Sequence, residues 1–84
     1  MPPMARYASA LARIAALQAT APRPEPWMIQ RAQLLARAGQ PGAARRAWSE
    51  FLAHVEHLPN LERGSREMRE HVELARRALA ALPK

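Results

Sequence analysis

Two closely spaced histidines are the residues of this sequence that come nearest to a metal-binding motif. His54 and His57 are three positions apart and Glu50 lies one helical turn before His54, so one helix face would present two imidazoles and a carboxylate. Metal sites in helical bundles take ligands from facing helices, and His71 is the one further histidine of the sequence. We therefore interpret the histidines as ordinary surface or half-buried residues, and we expect no metal and no other cofactor.

The serines and glutamates do not form a pattern typical of catalysis. Ser9, Ser49 and Ser65 lack the glycine-flanked elbow of a nucleophile, and the sequence has no aspartate to orient a histidine. Glu70 and Glu73 alternate with arginines, which is typical of solvent-exposed ion pairs and not of a general acid and base. The absence of cysteine excludes thiolate zinc sites and cysteine catalysis. We expect a protein that is not an enzyme.

Arginine dominates the charge of the chain and is concentrated in its first half. The 84 residues carry a formal net charge of +6. All of this excess lies in residues 1–49, whereas residues 50–84 contain equal numbers of basic and acidic side chains. A basic half attracts acidic peptides, nucleic acid or anionic lipid, although arginines on solvated helix faces produce the same composition. The candidate basic patch consists of Arg13, Arg23, Arg31, Arg45 and Arg46.

The composition and the spacing of the apolar residues predict an all-α protein. Alanine and leucine are the commonest apolar residues and favour helices, whereas the β-branched residues that favour strands number only five. Prolines and glycines divide the chain into four segments in which apolar residues recur every three or four positions. Within a single domain over residues 1–84, the four predicted helices span residues 4–20, 26–39, 41–58 and 65–82.

The first residues of the chain have some features of a targeting signal. Residues 1–21 combine a basic residue, an apolar stretch and an Ala-x-Ala sequence, but Arg13 interrupts the stretch and Pro22 follows the cleavage point. The sequence also lacks an uncharged apolar run of about 18 residues, the length that a membrane-spanning helix needs. We expect a bacterial, cytoplasmic protein that does not interact with membranes.

The segments between the predicted helices differ in their turn chemistry. Residues 39–41 are few enough to force a tight antiparallel hairpin, with Gly39 in the left-handed conformation. The proline-rich residues 22–26 predict a stiff, extended spacer. Residues 60–64 are expected to form the loosest connection, and Ser65 is a candidate N-cap of the last helix.

A 34-residue register relates the first predicted helix to the third. The matching positions are Ala10 and Ala44, Ile14 and Trp48, and Leu17 and Phe51. The central hairpin reads Ala32-x2-Leu35-x3-Gly39-x4-Ala44-x3-Trp48-x3-Leu52. The segment before it reads Tyr7-x2-Ala10-x3-Ile14-x2-Leu17-x4-Pro22. Together they resemble the second helix of one tetratricopeptide repeat followed by one whole repeat.

The resemblance implies about one and a half tetratricopeptide repeats over residues 7–58, followed by a capping helix. The implied fold is a short antiparallel helix array in which Trp48 fills the space beside two closely packed helices. The sequence departs from the family where Arg31 stands in place of a leucine and Phe51 in place of a small residue. The fourth predicted helix does not continue the motif.

The resemblance also implies a concave groove, lined by the first helix of each hairpin, that binds an extended or helical peptide. The implied ligand-facing residues are Ile29, Gln30, Gln33 and Arg37. The side-chain amide of a glutamine can donate a hydrogen bond to a peptide backbone and also accept one from it. An arginine guanidinium pairs with acidic groups. The expected function is a non-enzymatic protein–protein interaction module, a scaffold with a basic-rimmed groove for a protein or peptide partner. The alternative is nucleic-acid binding through the arginine-rich first half.

One and a half repeats bury little apolar surface, since solenoids generally need about three repeats for stability. Three arrangements would bury the apolar surface that one and a half repeats leave exposed. The fourth helix folds across the open end, or a homodimer forms through the row of Tyr7, Leu11 and Ile14, or the chain belongs to a longer array. The sequence leaves the choice among them, and the identity of the partner, open.

Overall fold

A computed structural model describes residues 3–83, with side chains from Arg6 onward, and every regular element in this range is a helix. The five helices are α1 (Pro3–Thr20), α2 (Glu25–Arg37), α3 (Pro41–Glu56), α4 (Asn60–Arg63) and α5 (Arg66–Ala81). The all-α fold class is confirmed, whereas the predicted number of four helices is wrong because of the additional short helix α4. None of the helices in the described range has the length and apolar character needed to cross a bilayer.

The turn between α2 and α3 forms the tight hairpin that the sequence predicts. Gly39 has a φ of 75°, in the left-handed region that glycine adopts most easily. Its amide donates to the carbonyl of Ala36 at 3.1 Å, and the amide of Gln40 donates to the carbonyl of Leu35 at 3.0 Å. These two bonds form a Schellman motif, which ends α2 at Arg37, before the predicted end.

The segment between α3 and α5 contains a helical turn that the sequence did not predict. Pro59 disfavours a helical conformation at the residue before it, and α3 accordingly ends at Glu56, short of the predicted end. The predicted loose connection at residues 60–64 contains α4, a single turn that packs against α5. Ser65 caps α5 as predicted, because its side-chain oxygen accepts a hydrogen bond from the amide of Met68 at 3.1 Å.

The long helices pack in chain order, α1 against α2, α2 against α3, and α3 against α5. Ala32 and Ala44 are completely buried, as the close approach of the two hairpin helices requires. Trp48 packs edge-on against Phe51, with ring centroids 6.5 Å apart. The clustered core residues are Ile29, Ala32, Leu35, Ala44, Ala47, Trp48, Phe51, Val55, Met68 and Ala75.

The four long helices form two layers, an outer layer of α1 and α3 and an inner layer of α2 and α5. Half-buried Trp27, Arg31 and Leu34 recur at helical spacing on one face of α2, and from this face Arg31 reaches Glu50 of α3 at 3.6 Å. Since α1 also packs on α2, we place both outer helices on this side of α2. The Cα atoms span 45 × 30 × 16 Å, and the smallest dimension equals the thickness of about two packed helices.

The two inner helices run in the same direction. The hairpin makes α2 and α3 antiparallel. On the other flank of α3, the guanidinium of Arg45 donates to the carbonyl oxygens of Leu82 and Pro83, at 3.3 and 2.7 Å. The beginning of α3 therefore lies beside the end of α5, and α5 is antiparallel to α3 and parallel to α2.

Helix α1 does not reproduce the environment of α3 at every position of the 34-residue register. Ile14 is buried, as is Trp48 at the matching position. Ala10 is exposed and Leu17 is 38% exposed, whereas their counterparts Ala44 and Phe51 are completely buried. The physical reason is that α1 packs mainly on a single neighbour, α2, so its Ala10 face meets no second helix.

The row of α1 predicted as a homodimer contact faces the chain's own core. Ile14 is only 8% exposed, and Leu11 packs against the core cluster. Tyr7, at the end of the row, is half-buried. Ile14 is therefore not available to a second copy, whereas Tyr7 and Leu11 keep part of their surface exposed, and homodimer formation through the first helix stays a prediction.

Candidate peptide-binding groove

A groove runs between the parallel helices α2 and α5 on the inner side of the molecule, because both helices pack mainly on α3 and leave a space between them. Near the C-terminal ends of the two helices it has a volume of about 330 Å³, and Trp48 of α3 supports its floor. The residues that line this α2–α5 groove are Gln33, Ala36, Arg37, Trp48, Leu74, Ala78, Ala81 and Leu82.

Three of the four predicted peptide-contacting residues lie on the groove side of α2. Gln33 and Arg37 line the groove, and Gln30 is exposed on the same face, one turn before Gln33. The prediction for Ile29 is wrong, because its side chain is 6% exposed and belongs to the core. Helical spacing explains the error, since Ile29 and Ala32 are three positions apart and therefore share one face of the helix.

The groove combines an apolar wall with polar groups suited to a peptide. Leu74 of α5 is 38% exposed, which is unusual for a large apolar side chain in this structure. Gln33, on the opposite wall, is exposed and carries both a donor and an acceptor. Within the described side chains Arg37 forms no ion pair, so its charge is available to a carboxylate of a ligand.

The space between the same two helices has a different chemistry at their first turns. A second cavity of about 240 Å³ opens there, and its charged and titratable lining residues are three glutamates, Arg23 and His71. Leu61 of α4 projects into this region almost fully exposed. Glu67 lies 3.4 Å from His71, one turn further along α5. The inner side therefore carries positive charge at the C-terminal ends of α2 and α5 and mainly negative charge at their N-terminal ends.

A buried carboxylate that the sequence did not single out lines this second cavity. Glu25, in the first turn of α2, is buried, and its Oε2 atom lies 2.6 Å from Nε2 of His54 in the last turn of α3. Little in the sequence indicated a structural role for Glu25, because it lies in a proline-rich segment that was predicted as an extended spacer. In the structure α2 begins within that segment. The two residues are 29 positions apart, which no local pattern connects.

The histidines and the nearby glutamate do not converge as metal ligands would. His54 is directed to Glu25, while Glu50 lies 3.6 Å from Arg31. His57 is exposed at the C-cap of α3. Among the described residues, no group of three metal-ligating side chains lies close enough together to hold an ion.

The five arginines of the predicted basic patch are distributed over the molecule. Arg23 lines the cavity at the first turns of α2 and α5, whereas Arg45 lies at the far end of α5, bonded to the carbonyls of Leu82 and Pro83. The structure therefore does not bring Arg23 and Arg45 together. Arg31 contacts Glu50 on the outer side of α2, away from the groove. Arg13 and Arg46 are exposed on the two outer helices.

The α2–α5 groove offers amide groups, a guanidinium and an apolar wall on two parallel helices. Pockets of this composition, mainly apolar with a few placed polar groups, are typical of ligand sites. We compared the chain with protein-family models, with curated proteins and with solved structures, and none of the three comparisons found a match.

Proposed function

We propose that this protein is a non-enzymatic protein–protein interaction module of tetratricopeptide-like build, which holds a peptide segment of a protein partner in the α2–α5 groove. The observation that carries the proposal is the position of Gln33 and Arg37 opposite the exposed Leu74. The glutamine amide bonds a peptide backbone, the guanidinium pairs with a carboxylate, and the leucine covers an apolar side chain.

The tetratricopeptide-like part of this proposal rests on the sequence motif and on the order in which the helices pack. Packing in chain order, in which each helix contacts its neighbours along the chain, is typical of repeat proteins. In this interpretation α5 is the capping helix, and it runs parallel to α2 along the groove. Buried Ala44 and Trp48 occupy the small and the bulky position of the motif.

The charge of the chain supports an acidic partner. The formal net charge of +6 attracts acidic segments at long range, and Arg37 supplies a specific contact at the rim of the groove. Because the other end of the inner side carries glutamates, a bound peptide has a preferred direction. Its acidic end lies at the C-terminal ends of α2 and α5, beside Arg37.

The test begins with peptides selected from a phage-displayed random library on the immobilised protein. The tightest peptide is then labelled, and its affinity is measured by fluorescence polarisation for the wild type and for the double variant Gln33→Ala/Arg37→Ala. We expect the double variant to bind roughly tenfold more weakly, because it loses a backbone hydrogen bond and a charged one. Far-UV circular dichroism of the variant should stay unchanged, since both side chains are exposed.

The matched control is the double variant Arg46→Ala/Ser49→Ala, which removes one charged and one polar side chain from the exposed face of α3. Its affinity should stay within about twofold of the wild type, because surface residues away from the site contribute little. Equal losses in both double variants, or no loss in the groove variant, would remove the groove as the binding site.

A further inference from the structure

A second cleft lies on the other flank of α5, on the outer side of the molecule. It separates α3 from α5 and has a volume of about 440 Å³. Leu52, Val55 and Val72 form its apolar floor. Val72 and Leu74 are two positions apart on α5, about 200° around the helix, so the cleft and the α2–α5 groove use opposite flanks of α5.

The open wall of this outer cleft carries arginines with a regular spacing. Arg69 and Arg76 line it two helical turns apart, about 10 Å along α5. Glu73 lies between them, but its carboxylate accepts a hydrogen bond from Arg77 at 3.3 Å, outside the cleft lining. Within the described side chains Arg69 and Arg76 form no ion pair. Both guanidinium groups can therefore pair with a carboxylate from outside the protein, although Glu73 is an acidic neighbour on the same helix.

The third arginine of the outer cleft belongs to the short helix α4. Arg63 donates to the carbonyl of Glu56 at 3.1 Å and to the side-chain oxygen of Asn60, which fixes its guanidinium at the mouth of the cleft. The carboxylate of Glu56 also lines the cleft and offsets one of the three positive charges. Glu73 lines the cleft as well, so three arginines and two glutamates leave an excess of one positive charge above an apolar floor.

We infer that the outer cleft binds an acidic amphipathic helix of a partner protein. A helix places apolar residues at spacings of three and four positions on one face and carboxylates seven positions apart beside them, which matches the floor and the two arginines. The arrangement of the helices also favours a helical partner. α5 is an inner helix, and an outer helix, α3, covers only one of its flanks. A further helix in the cleft would occupy the next outer position.

A second copy of this chain is a poor occupant of the outer cleft. α1 is the helix with an uncovered face, and it contains arginines but no acidic residue. The formal net charge of +6 adds repulsion between two copies. The inference does not depend on the α2–α5 groove, and both sites can be occupied at the same time.

The test uses two synthetic helical peptides of about 14 residues, long enough to form a helix on binding. Both carry the same leucine stripe, and one has glutamates and the other lysines at flanking positions seven residues apart. We expect the glutamate peptide to bind the wild type and the lysine peptide not to bind. The variant Arg69→Gln/Arg76→Gln should weaken the glutamate peptide roughly five- to tenfold, the effect of losing two solvent-exposed ion pairs.

Control variants distinguish peptide binding in the outer cleft from general electrostatic attraction and from binding in the α2–α5 groove. Arg13→Gln/Arg46→Gln removes the same charge from the outer helices, and Arg37→Gln removes the charge of the groove. Both should bind the glutamate peptide within about twofold of the wild type. An equal loss in Arg13→Gln/Arg46→Gln, or a loss confined to Arg37→Gln, would overturn the inference, and the second result would leave the proposed groove intact.

If the glutamine variant does not fold, a charge-reversal variant can still test whether the outer cleft binds the peptide. Arg69→Glu/Arg76→Glu should bind the lysine peptide in place of the glutamate peptide, which a misfolded chain would not do. Duplex RNA and vesicles of phosphatidylglycerol serve as competing anionic probes. If either binds through Arg69 and Arg76 more tightly than the glutamate peptide, the cleft selects negative charge alone and the inference fails.

Discussion

The buried carboxylate of Glu25 and the imidazole of His54 lie 2.6 Å apart and join the first turn of α2 to the last turn of α3. The Schellman turn at Gly39 connects the two helices at their other ends. The hairpin is therefore held at both ends, by a covalent turn at one and by a polar contact at the other. Glu25 also lies where the positive end of the α2 dipole favours a carboxylate.

The variant His54→Ala should lower the free energy of unfolding by about 1–3 kcal/mol, because the buried Glu25 carboxylate loses its partner. His57→Ala is the matched control, since His57 is exposed and three positions away. Urea unfolding followed by circular dichroism measures both variants. Equal stabilities of the two variants would show that the contact contributes nothing to the hairpin.

The variant Trp48→Ala should lower the free energy of unfolding by about 3–5 kcal/mol, the cost of a large cavity in a packed core. Trp27, which is half-buried on the outer side of α2, provides the comparison. Trp27→Ala should cost clearly less in the same chemical denaturation experiment. A loss below about 1 kcal/mol for Trp48→Ala would contradict the packing of α3 against its neighbours.

The two glycines around the hairpin should respond to alanine in opposite directions. Gly39→Ala should cost about 1–2 kcal/mol, because a φ of 75° brings a Cβ atom into conflict with the backbone. Gly42→Ala should stabilise the protein by up to about 1 kcal/mol, because Gly42 lies in α3 and a Cβ atom there meets open space. Thermal unfolding of both variants measures the difference, and the same sign for both would refute this account of the turn.

Nucleic-acid binding through the basic residues is the alternative function, and it predicts a specific dependence of affinity on salt concentration. Arg31 and Arg45 already contact groups of the protein, so Arg13, Arg23 and Arg46 are the patch residues left for phosphates within the described range. Three phosphate contacts correspond to a slope of about −3 in log affinity against log salt concentration. A titration of duplex DNA at several salt concentrations measures this slope, and a flat titration would dismiss the alternative.

Local patterns predicted the hairpin turn and the cap of α5 because these features depend on neighbouring residues. Gly39 and Ser65 were identified from the conformations and hydrogen bonds that glycine and serine provide at helix ends. The same reasoning failed for Ile29, because this residue was assigned to the groove face of α2 but lies on the face of the helix that packs in the core. It also failed for residues 60–64, because α4 is a single turn that lacks an apolar period of its own and packs against α5.

The candidate sites were predictable only in part. Gln33 and Arg37 could be placed on the solvent face of α2 from the spacing of Ala32 and Leu35. The opposite wall, with Leu74, could not be assigned, because nothing local indicates which flank of α5 meets α2. The outer cleft was not predicted for the same reason, since its lining residues come from three different helices, α3, α4 and α5.

The sequence by itself determined that the chain is helical and approximately where its helices begin and end, because propensity, proline positions and capping act within one or two turns. The tertiary structure decided which faces meet. It paired Glu25 with His54, directed Ile29 into the core and left opposite flanks of α5 uncovered. These outcomes depend on how several amphipathic helices share their apolar faces, which no segment specifies alone.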